Sequence, residues 1–365
     1  MKKFDTGSRP DGKNQYSRAK VSMSHHRIDF LDFAKGFAIL SIIIFHYSQP
    51  YATGLWSKTI MLGGTGIHVF FIISGFGLGL SSTKMKFTVF YKKRFTKIFI
   101  PYYAAILLIF FINEIFPIYT ENRLYALGGH LFLYKMFDES IIESFGDHFW
   151  FISTIIQFYI VFPLIITIKN KILVKRFLVF SLLLSLAYWV TISLLKISHL
   201  RVYNSFFLQY LWEFNLGLVF AEVYIQKGKC FWDTNIVLLF STSIAGLSLM
   251  ALLALKGGQA GQTFNDVPAS IGYLSTVAVM YLLVSNCRKI RSFINYMGKI
   301  SYELYLLHKL LFLLSNKILQ EYAGVNTGVL TSLFIAFPIS IVIAKYFSSL
   351  TNIFADGRFK YASQS

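Results

Sequence analysis

The sequence predicts an all-α fold, a polytopic transmembrane helical bundle of about ten spans with its N-terminus and C-terminus cytoplasmic. Three observations lead there. The 365 residues are 55% hydrophobic and only 14% charged, with a mean hydropathy of +0.56, whereas soluble domains carry about 25% charged residues. Nearly charge-free runs recur along the whole chain, each close to the roughly 20 residues that a helix needs to cross a hydrocarbon core. Finally, Lys and Arg cluster in alternate loops, as the positive-inside rule requires.

Residues 1–26 are polar and rich in Lys, Arg, Ser and Gly, which predicts a disordered cytoplasmic tail. Met23 offers an alternative start just ahead of the first span. Apolar runs follow at 30–49, 62–81, 98–118, 148–168, 176–196, 203–225, 235–255, 268–286, 300–318 and 328–348. An eleventh stretch, 124–137, is too short to span. It holds Arg123 and Lys135 near acidic residues, which suits a re-entrant or interfacial segment. Counted with the N-terminus inside, the inner segments hold about 26 Lys and Arg and the outer loops seven, leaving Lys35 and Lys309 within spans. Residues 27–350 form one transmembrane domain, and 351–365 a short cytoplasmic tail.

The formal net charge of +18 could suggest nucleic acid, but the bases fall between apolar runs rather than along one solvated face, so they report topology and not a nucleic-acid partner. Cys230 and Cys287 are too few for a disulfide framework and lack metal-ligand spacing. No metal site is expected, and membrane lipids are the expected surroundings.

Charged groups at membrane depth cost on the order of 3 kcal/mol or more, so each needs a reason. In the first span Asp32 and Lys35 are three residues apart on one helical face and can pair. His46 returns to nearly that face about 16 Å further out. Alone, His46 reads more readily as an interfacial histidine bonded to a backbone carbonyl; with Lys35 on its face, a chemical role gains weight. Further polar residues at comparable depth are His68, Ser74, His148, Gln157, Glu213, Ser301, Glu303, His308 and Lys309, each of which alone is more simply helix–helix glue. The glycines of Gly63–Gly66 and Gly75–Gly79 read as sites of close helix approach. Lys92-Lys93-Arg94-Phe95-Thr96-Lys97 is either positive-inside anchoring or a clamp for a phosphorylated donor.

At this point the residues resemble acyltransferase family three, membrane proteins that transfer acyl groups, often acetyl, to sugars and other acceptors. Leu31-Asp32-Phe33-Ala34-Lys35-Gly36 through His46 matches the opening pattern of Arg or Lys, ten residues, then His. Gly66–Phe76, Lys93–Pro101, His148–Pro163 and Gly298–His308 are similar to later signatures, in order. Many members carry a Glu pair at Ile155-Ile156 and an Asp at His68, so acceptor specificity is not carried over. The soluble hydrolase-like domain that some relatives append has no counterpart in these residues.

The resemblance implies transfer from cytosolic acyl-CoA, usually acetyl-CoA, to a hydroxyl of a carbohydrate displayed or exported at the cell surface, with the bacterial plasma membrane as location and no tightly bound cofactor. His46 would be the general base, with Asp32 holding Lys35 near the thioester. Lys93, Arg94 and Lys97 would hold the CoA phosphates, and Ser74, His148, Trp150, Glu213 and His308 would lie on the acceptor side. Two other classes compete: a polysaccharide or small-solute transporter or flippase, against which the lack of an evident inverted repeat counts, and a haem protein using His46 and His308, which would show a Soret band.

Overall fold

The computed structural model describes residues 28–81, 86–120 and 122–362; the tail 1–26 and Met23 lie outside them. Every regular element among the described residues is helical. Twelve helices carry the architecture: α1 Asp29–Ser48, α2 Gly66–Ser81, α3 Phe87–Ile115, α4 Arg123–Leu131, α5 Trp150–Lys171, α6 Val174–Leu194, α7 Leu211–Lys227, α8 Ile236–Lys256, α9 Asp266–Leu283, α10 Arg288–Lys299, α11 Ser301–Glu321 and α12 Phe337–Ala362.

Among the described residues, eight helical stretches are long and apolar enough to cross a membrane: Asp29–Tyr51, Gly54–Ser81, Phe87–Ile115, Asp147–Lys171, Val174–Leu194, Ile236–Lys256, Asp266–Leu283 and Val329–Ala355. The peripheral ones turn apolar side chains outward. On α8 these are Val237, Leu238, Phe240, Ile244 and Leu252, and on α6 Val179, Phe180, Leu183 and Val190. Exposed apolar faces of this length mark a membrane protein.

The apolar runs 203–225 and 300–318 fall short of that measure for a physical reason. In the first, the chain turns through Arg201–Asn204 and Phe207–Tyr210, and α7 proper has only 17 residues. In the second, α11 carries Glu303, Lys309, Lys317 and Glu321. Both helices are enclosed: α7 buries Glu213 and Asn215, and α11 buries Leu304 to His308. A helix shielded from lipid by its neighbours tolerates polar groups that a lipid-facing one cannot.

Small residues set the closest contacts. α1 lies against α10, and a Cβ at Gly36 would sit 1.8 Å from the Ile294 carbonyl oxygen, while one at Gly298 would sit 1.8 Å from that of Asp32. A clamp closes this junction: Arg291 donates to Asp29 at 2.8 and 2.5 Å, and Asn295 Nδ2 donates to Asp29 at 2.6 Å. α2 and α7 approach in the same way, with Gly75 on the Phe214 carbonyl and Gly217 on that of Ile72. The reading of Gly75 as a point of close approach agrees with this, whereas Gly77 has nothing within 4 Å. Its face opens on the cavity described below.

The stretch 124–137 contains the nine-residue α4 and a short turn of helix at Tyr134–Phe137. It is too short to cross and instead folds into the bundle, burying His130 and Lys135. Tyr102 donates to His130 Nδ1 at 2.8 Å, and His130 Nε2 donates to the Ser144 carbonyl at 3.1 Å. Burial, with Lys135 adding to it, holds this imidazole well below its usual range and therefore neutral. Cys230 is buried and Cys287 exposed, and both are free thiols.

Candidate active site

Two polar constellations occupy the bundle. The first is a cavity of about 450 Å³ lined from α1, α2, α3, α5, α10, α11 and α12. Among the described residues its cations are Lys35, Arg94, Lys97 and Lys299, and its carboxylate is Glu303. Such an excess of positive charge in a low-dielectric recess favours an anionic ligand. Lys35 Nζ lies 3.4 Å from Asp32 Oδ1, so the pair expected within α1 is formed. Arg94 Nη2 donates to Ser81 Oγ at 2.9 Å. Ser74 also lines the cavity, but Lys93 does not; its side chain is exposed elsewhere on α3.

The second constellation gathers three histidines that are far apart in sequence. Ring centroids are 5.2 Å apart for His46 and His308, 4.9 Å for His148 and His308, and 6.4 Å for His46 and His148. His308 Nδ1 donates to the carbonyls of Leu304 at 3.1 Å and Tyr305 at 2.9 Å. The carbonyl-bonded state that the sequence offers for His46 thus belongs to His308. Among the described residues, His46 Nδ1, both nitrogens of His148, and His308 Nε2 are buried without a hydrogen-bond partner. Among the described residues, no group of three or more His, Cys, Asp or Glu is arranged to hold a metal.

The segment before α5 is fixed on α11 by an ion pair between Asp147 and Lys309 and by the Tyr305 hydroxyl, which donates to the His148 carbonyl. Lys309, one of the two cations within the expected spans, is thereby paired. Gly146 turns the chain with φ 129°, and a Cβ there would fall 2.6 Å from the His148 ring. Gly146→Ala is therefore expected to cost about 2 kcal/mol in backbone strain and to push His148 off its seat. The check is thermal unfolding in detergent together with transfer activity.

Tyr305 joins the two constellations. It lines the cavity, its ring centroid is 5.3 Å from that of His148, and none of the three histidines itself lines the cavity. Phe151, another wall residue, packs on Tyr305 at 5.4 Å. One wall residue of the cavity, Tyr305, is thus all that separates it from the His148 ring.

The remaining expected site residues lie apart from both. Glu213 is fully buried and bonds His68 at 2.8 Å, with Asp266 4.0 Å from the other His68 nitrogen and Gln209 donating to Asp266 at 2.6 Å. This network ties together α2, α7 and α9. Trp150 stacks on Tyr210 at 5.6 Å and lies under the Arg201 guanidinium at 5.5 Å. Sequence reasoning did not single out Lys299, Tyr305 or Asp147. Lys299 had a legible signal, since it adjoins Gly298 as Lys35 adjoins Gly36, and small residues mark where two helices meet.

A membrane-embedded helical bundle with an anion-attracting cavity leading to buried imidazoles is the class defined so far. Residues 28–345 match the family model described as an acyltransferase domain, and the chain belongs to that family, acyltransferase family three. Over 329 residues it is 24% identical to O-acetyltransferase OatA of Staphylococcus aureus, strain NCTC 8325 / PS 47, a match that covers 80% of this chain and 52% of the relative. Acyltransferase MdmB of Streptomyces mycarofaciens is 30% identical over 165 residues, which cover 41% of this chain and 42% of MdmB. The chain spans about half the length of the first of these. No solved structure matches.

Proposed function

We propose that this protein is an integral membrane O-acyltransferase that takes an acyl group, acetyl in the usual case, from cytosolic acyl-CoA and places it on a hydroxyl of a cell-surface or exported carbohydrate. One observation carries the proposal: a cavity lined by Lys35, Arg94, Lys97 and Lys299 shares its wall residue Tyr305 with the histidine cluster, the Tyr305 hydroxyl donating to the His148 carbonyl. The name of the matched OatA relative, an O-acetyltransferase, supports the same chemistry.

In this reading Arg94, Lys97 and Lys299 hold the CoA phosphates, Lys35, steadied by Asp32, attends the thioester arm, and His46 receives the proton of the attacking hydroxyl. The new C–O bond forms as the C–S bond breaks, and His46 returns the proton to the leaving thiolate. Ten spans, counting α7 and α11, with both termini cytoplasmic in a bacterial plasma membrane, would put the cavity on the donor side and His46 toward the acceptor.

Membrane vesicles holding the protein should move label from acyl-labelled CoA to carbohydrate. Loss of the charge-assisted bonds of Arg94 should raise the KM for the donor about tenfold in Arg94→Ala with a smaller change in kcat. Carbohydrate or solute flux that needs no acyl-CoA, without any labelled product, would favour the transporter instead.

A further inference from the structure

His308 is held more tightly than the other two histidines. Its Nδ1 must carry the hydrogen, because both of its partners, the carbonyls of Leu304 and Tyr305, can only accept. In the neutral ring Nε2 then holds the lone pair, and that atom is buried without a partner among the described residues. The backbone around it is fixed as well, since Tyr47 donates to the His308 carbonyl at 3.0 Å and bonds Ser340 at 2.8 Å. A buried acceptor left unmatched costs on the order of 1–3 kcal/mol, so the site is built for a donor.

The complementary atom is close by. His46 Nδ1 is also buried and unpartnered, and the two rings have centroids 5.2 Å apart. Nitrogens that face each other on imidazoles at that separation lie about 3 Å apart, the ordinary length of such a bond, and with His308 fixed by its carbonyls it is the His46 ring that turns to make it. His46 is half-buried, whereas His148 and His308 are fully buried. It is thus the imidazole of the three that a substrate can reach.

We propose that His308 is a positioning residue for His46. Its Nε2 accepts a hydrogen bond from His46 Nδ1–H, which leaves His46 Nε2 as the nitrogen that takes the hydroxyl proton. The arrangement does for His46 what an orienting carboxylate does for other catalytic histidines, fixing tautomer and ring direction, but with a neutral acceptor. This inference rests on the acyltransferase reading above.

Two near-isosteric variants separate positioning from packing. His308→Asn keeps a donor where Nδ1 stands and can still bond the helix carbonyls, but it offers nothing at Nε2. His308→Gln reaches the Nε2 position with an amide oxygen and gives up the Nδ1 bond. The test compares transfer from acetyl-CoA in purified, lipid-reconstituted full-length protein, with donor affinity measured in parallel. His308→Asn should lose about 100-fold in kcat with donor affinity unchanged, and His308→Gln should stay within about tenfold of wild type. Equal losses, or better activity in Asn than in Gln, would mean that His308 matters only through its bonds to its own helix, and would overturn the proposal. Wild-type protein that transfers nothing would instead remove the functional reading beneath it.

Discussion

Replacing His46 by Ala should lower acyl transfer by about 10²–10⁴-fold, the range that a positioned general base contributes, while the protein still inserts and binds its donor. The expected separation of activity from folding follows from the local structure. Among the described residues His46 Nδ1 bonds no backbone group, the bond proposed above ties it only to the His308 side chain, and the ring is half-buried rather than locked in the core. Its truncation removes ring contacts with Phe45, His308 and His148, at 4.8, 5.2 and 6.4 Å between centroids, and none of the small-residue contacts that bring the helices together. Donor binding should survive because the cations of the cavity come from other positions and His46 does not line it. The measurement is labelled transfer in reconstituted vesicles, with donor affinity determined separately. Wild-type rates in His46→Ala would remove His46 as the base and with it the positioning role of His308.

The difference between what the sequence allowed and what the fold made of it is clearest in these histidines. Span lengths are local properties, so α1, α5, α6 and α8 could be read directly from apolar runs, whereas α3 begins at Phe87, well before the run 98–118, and takes in the basic stretch Lys92–Lys97. The pairing of Asp32 with Lys35 is local too, one turn of helix apart. The meeting of His46, His148 and His308 is not local: it depends on how α1, the turn before α5, and α11 are packed, and taken singly each histidine looked like a satisfied structural residue. For His308 that reading holds at Nδ1 and fails at Nε2. Glu213 was legible as a buried acid, but its partner His68 lies on another helix, and the two form a network away from both the cavity and the imidazoles. The basic run before Pro101 divided likewise. Arg94 and Lys97 reach the cavity while Lys93 points away, a distinction set by helical phase that composition alone does not supply.

Gly36→Ala tests the framework that brings these groups together, and two effects of opposite sign compete there. Helix propensity favours Ala over Gly by about 1 kcal/mol at an interior position. Against this, the added methyl would lie 1.8 Å from the Ile294 carbonyl oxygen and 2.9 Å from the Gly298 nitrogen. Both are backbone atoms, so no side chain can rotate away, and α1 and α10 must separate. Overpacking against side chains costs about 1–3 kcal/mol, and against backbone the upper end applies, for a net loss of about 2 kcal/mol. The separation would also strain the Asp29 clamp to Arg291 and Asn295 and move Lys35 relative to Lys299, two of the four cations of the cavity. Lower unfolding temperature and weaker donor binding should therefore appear together. Gly77→Ala supplies the control, because Gly77 is helical with nothing within 4 Å of its added Cβ. There propensity acts alone, and unfolding should be unchanged or shifted up by as much as about 1 kcal/mol. If both substitutions raise stability, the close approach of α1 and α10 is not what holds Lys35 in place.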